Sequence, residues 1–107
     1  MKYQVEIIQE AEDDLFDIYH YIRERETLQR AEEILDKLEE LCLSLQEMPQ
    51  RCHYLPELDR INVRSCREVH FKPDRVIYEI EGKKVFVHGV LDGRRDMRDL
   101  LERRLLR

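Results

Sequence analysis

The sequence predicts an α+β fold: a mostly antiparallel four-stranded sheet in the order β-α-α-β-β-β, an antiparallel helical hairpin on one face, and a short C-terminal helix. Three observations predict it. Apolar residues alternate at a spacing of two at the start of the chain and again between residues 63 and 91, and between residues 10 and 48 they recur at three and four. Turn-forming residues mark the joints between these blocks.

Tyr3, Val5 and Ile7 alternate with Lys2, Gln4 and Glu6, which gives a first strand from Tyr3 to Ile8. From Glu10 the period changes, and Ala11, Leu15, Ile18, Tyr19 and Ile22 form one helical stripe. Glu10, Glu12, Asp13 and Asp14 fill its first turn, where the helix dipole favours anions. Thr27 is the N-cap of a second helix of about six turns. Its stripe runs through Ala31, Ile34, Leu35, Leu38, Leu41, Cys42, Leu45 and Met48 and stops before Pro49. So short a break between the helices forces an antiparallel hairpin.

Pro49 to Asp59 reads as a loop. Val63 to Phe71 is a second strand, Lys72-Pro73-Asp74 a turn, and Arg75 to Glu81 a third strand with Val76, Tyr78 and Ile80 on one side. A tight turn at Glu81-Gly82 leads into a fourth strand, Lys83 to Leu91, whose Val85 and Val87 continue that apolar face. The hairpin returns the chain to near where the first strand ended, so the second strand is expected to run antiparallel to the first. From Arg94 onward, Met97, Leu100, Leu101 and Leu105 recur at helical spacing.

At 107 residues the chain is expected to be a single domain over 1–107, and 42% hydrophobic with 40% charged residues is a globular composition. No apolar run approaches the ~20 residues of a membrane span, and the start MKYQVEII lacks the apolar core of a signal peptide, so a cytoplasmic protein is expected. Cys42, Cys52 and Cys66 are odd in number, unrelated in spacing and without a histidine placed to complete a zinc set. Free thiols, with no metal and no cofactor, are the expectation. Charge is divided: residues 1–50 hold 14 acids and 5 bases, whereas residues 51–107 hold 10 acids and 14 bases. A basic second half suits an anionic or acidic target, although a net charge of -5 argues against unspecific affinity for nucleic acid.

The second face of the strand hairpin carries Arg75, Ile77, Glu79, Lys84, Phe86 and His88. A two-residue loop sets Arg75 across from His88 and Ile77 across from Phe86. This mixed surface, together with Arg94, Arg95 and Arg98 after Gly93, is the candidate site.

The stretch AEDDLFDIYHYI (Ala11 to Ile22), the Leu45 to Pro49 segment that closes the second helix, and DRVIYEIEGKKVFVHGVLDGRRD (Asp74 to Asp96) together resemble the RelE/ParE superfamily of toxins from bacterial type II toxin-antitoxin modules. The resemblance covers Tyr3 to about Leu101. It implies a toxin of a plasmid-stabilisation system, neutralised by a cognate antitoxin in a hetero-oligomer. ParE-like members act on DNA gyrase without bond-breaking chemistry of their own; RelE-like members are ribosome-dependent mRNA endonucleases. In a nuclease the resemblance gives catalytic positions to Arg75 and Arg95; His88, which shares a face with Arg75, and His70 are the candidate proton carriers, and in either case Arg94, Arg95 and Arg98 are the positions for target binding.

The departures favour the ParE-like side. Cys66 and Glu68 stand where RelE nucleases have phosphate-binding lysines, Asp92 stands where many relatives have histidine, and no tyrosine follows Tyr78. An anion at Glu68 opposes RNA. The alternatives are the RelE-like nuclease and a degenerate toxin that keeps only antitoxin binding. An interaction protein or a transcriptional regulator fits less well, since no DNA-recognition helix is evident.

Overall fold

The computed structural model describes residues 2–92 and 102–104. The alternating start forms β1 (Gln4–Ile7), and the helical period forms α1 (Gln9–Arg25) and α2 (Leu28–Leu43). Thr27 caps α2 through Oγ1, which accepts from the Arg30 amide at 3.0 Å. The helix is shorter than the six turns expected. The Ser44 hydroxyl donates to the Leu41 carbonyl at 2.6 Å, and the chain tightens into a 3-10 turn at Ser44–Gln46. Met48 consequently leaves the apolar stripe, with a left-handed backbone at φ 48° and an exposed side chain.

The segment expected to be a loop is partly helical. It contains a 3-10 turn at Pro49–Arg51 and a one-turn helix, α3 (Pro56–Asp59), each with proline where a missing amide hydrogen costs nothing. Then follow β2 (Cys66–Phe71), β3 (Asp74–Glu81) and β4 (Lys84–Asp92). Residues 102–104 are helical, in keeping with a short C-terminal helix. Met97, Leu100, Leu101 and Leu105, expected to form its apolar stripe, lie outside the described residues.

The sheet order is β1-β4-β3-β2, with β2, β3 and β4 an antiparallel meander. At the edge β1 pairs in parallel with β4, Gln4 against Lys84 through Ile7 against Val87. It follows that β2 runs parallel to β1, and the predicted antiparallel relation is wrong. The reason lies in the path of the hairpin. The Ile8 amide donates to the Val87 carbonyl, and six residues later Asp14 accepts from the Val90 amide, so α1 runs on over β4 in the direction of β1. The return then carries the chain past the beginning of β1, where the Tyr3 amide donates to the Gln46 carbonyl at 2.9 Å. From there β2 starts at the end where β1 starts.

Two details correct the predicted cross-strand pairs. The two-residue turn is Gly82-Lys83, one position later than expected, with Gly82 at φ 61°. A bulge follows: Ile77 pairs with Gly89 and Tyr78 with Val87, leaving His88 as an extra residue in β4. Arg75 therefore stands across from Leu91, and Ile77 from Gly89.

On one face of the sheet, Ala11, Leu15, Ile34, Leu38, Cys42 and Leu45 pack against Val76, Tyr78, Val85, Val87 and Val90. Because of the bulge, Val90 joins the same face as Val87. The buried Tyr78 hydroxyl donates to the Pro49 carbonyl at 2.5 Å and fastens the segment after α2 to the sheet. The opposite face is covered as well. Leu55 and Leu58, at the start of α3 and within it, form a second, smaller core with Cys66, Ile77 and Leu91. The face expected to be open thus lies partly beneath α3. Among the described residues no helix is long and apolar enough to cross a membrane.

Candidate functional site

Arg75, the second residue of β3, lies on the face that α3 covers, and each of its three guanidinium nitrogens donates to a carboxylate. Nη1 and Nη2 donate to the two oxygens of Glu57, each at 2.8 Å, and Nε donates to Oε1 of Glu68 at 2.5 Å. The first contact is the fork-on-carboxylate geometry that suits arginine best. The second comes from the neighbouring strand, where Glu68 and His70 project from one face of β2 beside Arg75. Glu68 also meets two imidazoles, His70 through Nε2 at 2.7 Å and His53 through Nε2 at 2.9 Å.

The charges in this cluster hold one another in place. Hydrogen bonds from Arg75 keep the Glu57 carboxyl below its ordinary range. Burial alone would raise the Glu68 carboxyl, but the bonds from Arg75, His70 and His53 and the charge of Arg75 outweigh it and bring it down. Glu57 and Glu68 in turn push the Arg75 guanidinium further up. All three are ionised at neutral pH, two anions against one cation. A phosphate approaching Arg75 therefore meets a fork already filled and two carboxylates of its own sign.

Of the other predicted site residues, His70 lies beside Arg75 and His88 does not. His88, at the bulge, bonds through Nε2 to Oε1 of Glu79 at 2.9 Å. Asp92 ends β4 opposite Asp74. Arg94, Arg95 and Arg98 lie outside the described residues. The sequence reading missed His53 and Glu57. For Glu57 a signal existed, since Leu55-Pro56-Glu57-Leu58 combines a helix-starting proline, a first-turn acid and two leucines. For His53 there was none, because it reaches Glu68 through a fold-dependent contact in which the Glu68 amide donates to the His53 carbonyl.

A groove of about 520 Å³ lies between the helical hairpin and the end of the sheet. Ile18, Tyr21, Ile22 and Phe71 give it apolar walls, and Asp17 and Glu26 are among its acidic lining residues. At its inner side Asp14 accepts from the Val90 amide at 2.9 Å and from Nη1 and Nη2 of Arg104 at 2.6 and 3.0 Å. Gly89 is small by need here, since a Cβ would stand 2.9 Å from Nη1 of Arg104 and 3.3 Å from Oδ2 of Asp14.

The family model described as the ParE toxin of the type II toxin-antitoxin system, parDE, matches residues 5–97. Among solved structures, the chromosomal ParDE toxin-antitoxin system of P. aeruginosa is similar at a TM-score of 0.72 and 16% identity, over 85% of this chain and 96% of that one. The toxin-antitoxin complex RelBE2 of Mycobacterium tuberculosis is similar at 0.64 and 18%, over 86% and 99%. At such identities the likeness is one of fold. No curated protein matches the chain.

Proposed function

The chain belongs to the ParE toxin family of type II toxin-antitoxin systems, and from that premise we propose a toxin that arrests growth by binding DNA gyrase and is neutralised by a cognate antitoxin. The observation that carries the choice of target is the occupancy of Arg75. Cleavage of RNA by its own 2′-hydroxyl needs cations free to hold the phosphate and a base beside them. Here the strand arginine is shared between Glu57 and Glu68, and His88 is paired with Glu79 instead of facing it. Action by binding asks nothing of that pair. The contacts with the target fall to Arg94, Arg95 and Arg98, in the basic half of the chain.

The antitoxin belongs to the same reading, since the two similar structures named above are toxin-antitoxin systems. The groove beside α1, with apolar walls and with acidic lining residues outnumbering the two basic ones, Arg30 and Lys72, suits a segment that alternates apolar and basic residues. The reading places the protein in the cytoplasm, where gyrase works, and its module in plasmid stabilisation.

The test has three parts: expression alone and with the neighbouring small reading frame, gyrase supercoiling with purified protein, and a translating extract. Arrest relieved by the neighbour, inhibited supercoiling and intact mRNA are expected. Codon-phased mRNA cuts that vanish in Arg75→Ala would make it a nuclease, and normal growth with neither effect would make it an inactive copy.

A further inference from the structure

We propose that His53, Glu68 and His70 form a binding site for one divalent transition-metal ion, zinc(II) by the character of the donors. Among the described residues this is the one group of three such side chains whose donor atoms converge, all within 4.8 Å of one another. Both imidazoles present Nε2 to the same carboxylate, at 2.9 and 2.7 Å. Two imidazoles and one carboxylate are a set that zinc accepts with a fourth position left open.

The spacing is close to what an ion requires. Metal-to-donor bonds of about 2.0–2.2 Å place tetrahedral donors roughly 3.3–3.5 Å apart, so His70 has to withdraw from Oε1 and His53 from Oε2 of Glu68 by less than about 1 Å, while donors now as much as 4.8 Å apart draw together by about 1.5 Å. Both can do so, because their side chains are 61% and 43% exposed, whereas that of Glu68 is 2% exposed and fixed. In the loaded site each ring carries its proton on Nδ1 and offers the Nε2 lone pair to the metal. The open side of the two histidines is the entry path, and the fourth position falls to water or to a donor from a docked protein.

Charge and support favour the same occupant. Arg75 offsets only one of the two carboxylates Glu57 and Glu68, which leaves one negative charge for a cation to neutralise. Arg75 Nε also fixes the orientation of the Glu68 carboxylate, the task of a group behind a ligand. On the other side the loop that carries His53 is fastened to β2. The Glu68 amide donates to the His53 carbonyl, and Arg67 donates to the Cys52 carbonyl at 2.7 Å while its guanidinium lies 4.2 Å over the Tyr54 ring. The cysteine spacings gave no hint of such a site, because none of its donors is a thiol.

The experiment titrates the purified, metal-stripped full chain with Co2+ alone and with Zn2+ alone. One equivalent of Co2+ should bind with the ligand-field absorption of a tetrahedral site and without thiolate charge transfer, and Zn2+ should displace it. His53→Gln and His70→Gln should each weaken binding by at least about tenfold. The double variant should also lose the Zn2+-dependent rise in Tm that the wild type shows, because only a ligand that favours the folded state raises Tm. His20→Gln and His88→Gln should bind as the wild type does. Since both substituted histidines are exposed, far-UV CD of the double variant is expected to be unchanged; if it is not, Zn2+ protection of His53 and His70 from diethylpyrocarbonate in the wild type decides. No stoichiometric binding, undiminished binding by the double variant, a cobalt-thiolate band, or no such protection would each overturn the site.

Discussion

Replacing Arg75 by alanine should destabilise the protein, which a freely exposed phosphate-binding arginine would not do. The variant leaves Glu68, with a side chain 2% exposed, without its guanidinium, and removing one partner of a buried ion pair costs about 3–5 kcal/mol. Since His53 and His70 still bond to Glu68, the lower end, about 3 kcal/mol, is the expected cost at this carboxylate. Glu57 is 30% exposed and water takes up most of its loss, adding about 0.5 kcal/mol. Against a total stability of about 5–15 kcal/mol the change is easily measured by urea unfolding followed by CD, in buffer with a chelator. The effect should also depend on pH. Arg75 holds the folded-state Glu57 carboxyl below its ordinary 4.5, so its contribution is complete above about that pH and is lost as the pH falls below it. The gap between wild type and variant should therefore narrow in acid. A loss at pH 7 within about 0.5 kcal/mol, the usual range of a surface change, would show that Arg75 is free and would reopen the nuclease reading.

Three further expectations concern packing and chemistry elsewhere. Leu38→Ala, at a fully buried position at the centre of α2, should cost about 2–5 kcal/mol in urea unfolding, and a cost under about 1 kcal/mol would mean that the site collapses without a cavity. Asp14→Ala should cost about 1–3 kcal/mol because it orphans the Val90 amide as well as Arg104, and Arg104→Ala should cost less because the amide keeps its acceptor; equal costs would contradict this division. Burial pushes the Cys42 thiol up to about 12 and raises that of Cys66, so mild alkylation of the folded protein at pH 8 should mark Cys52 first and leave those two until urea is added. Rapid labelling of Cys42 would show that the seam between α2 and the sheet opens.

What the sequence made legible is what neighbouring residues decide among themselves. Thr27 reads as a cap because the amide it binds is three residues away, and the stripe from Ala31 to Leu45 reads as core because a helix repeats its face every turn. Val76, Tyr78, Val85 and Val87 were placed on one face by simple alternation. The position of β1 was not legible, since its neighbour in the sheet is the last strand in the chain. Nor was the surrounding of Arg75. Glu68 stood out as an anion in the wrong place for RNA, but that it closes on Arg75, with Glu57 completing the fork from eighteen residues away, depends on α3 folding over the sheet. The Arg75–His88 pairing failed on two counts, a turn placed one position too early and a bulge. Alternation fixes the side on which a side chain lies and is blind to one extra residue in a strand, and His88 is that residue.

The parallel edge formed by β1 and β4 ties Gln4–Ile7 to residues made long after them, Lys84–Val87. Gln4 waits for Lys84, Asp14 for Val90 and then for Arg104. During synthesis the first strand therefore has no partner in the sheet until β4 has been made. A ribosome that stalls, or a reading frame cut short before residue 84, releases a product with an unpaired strand and an uncovered apolar hairpin, fit for a protease and not for a target.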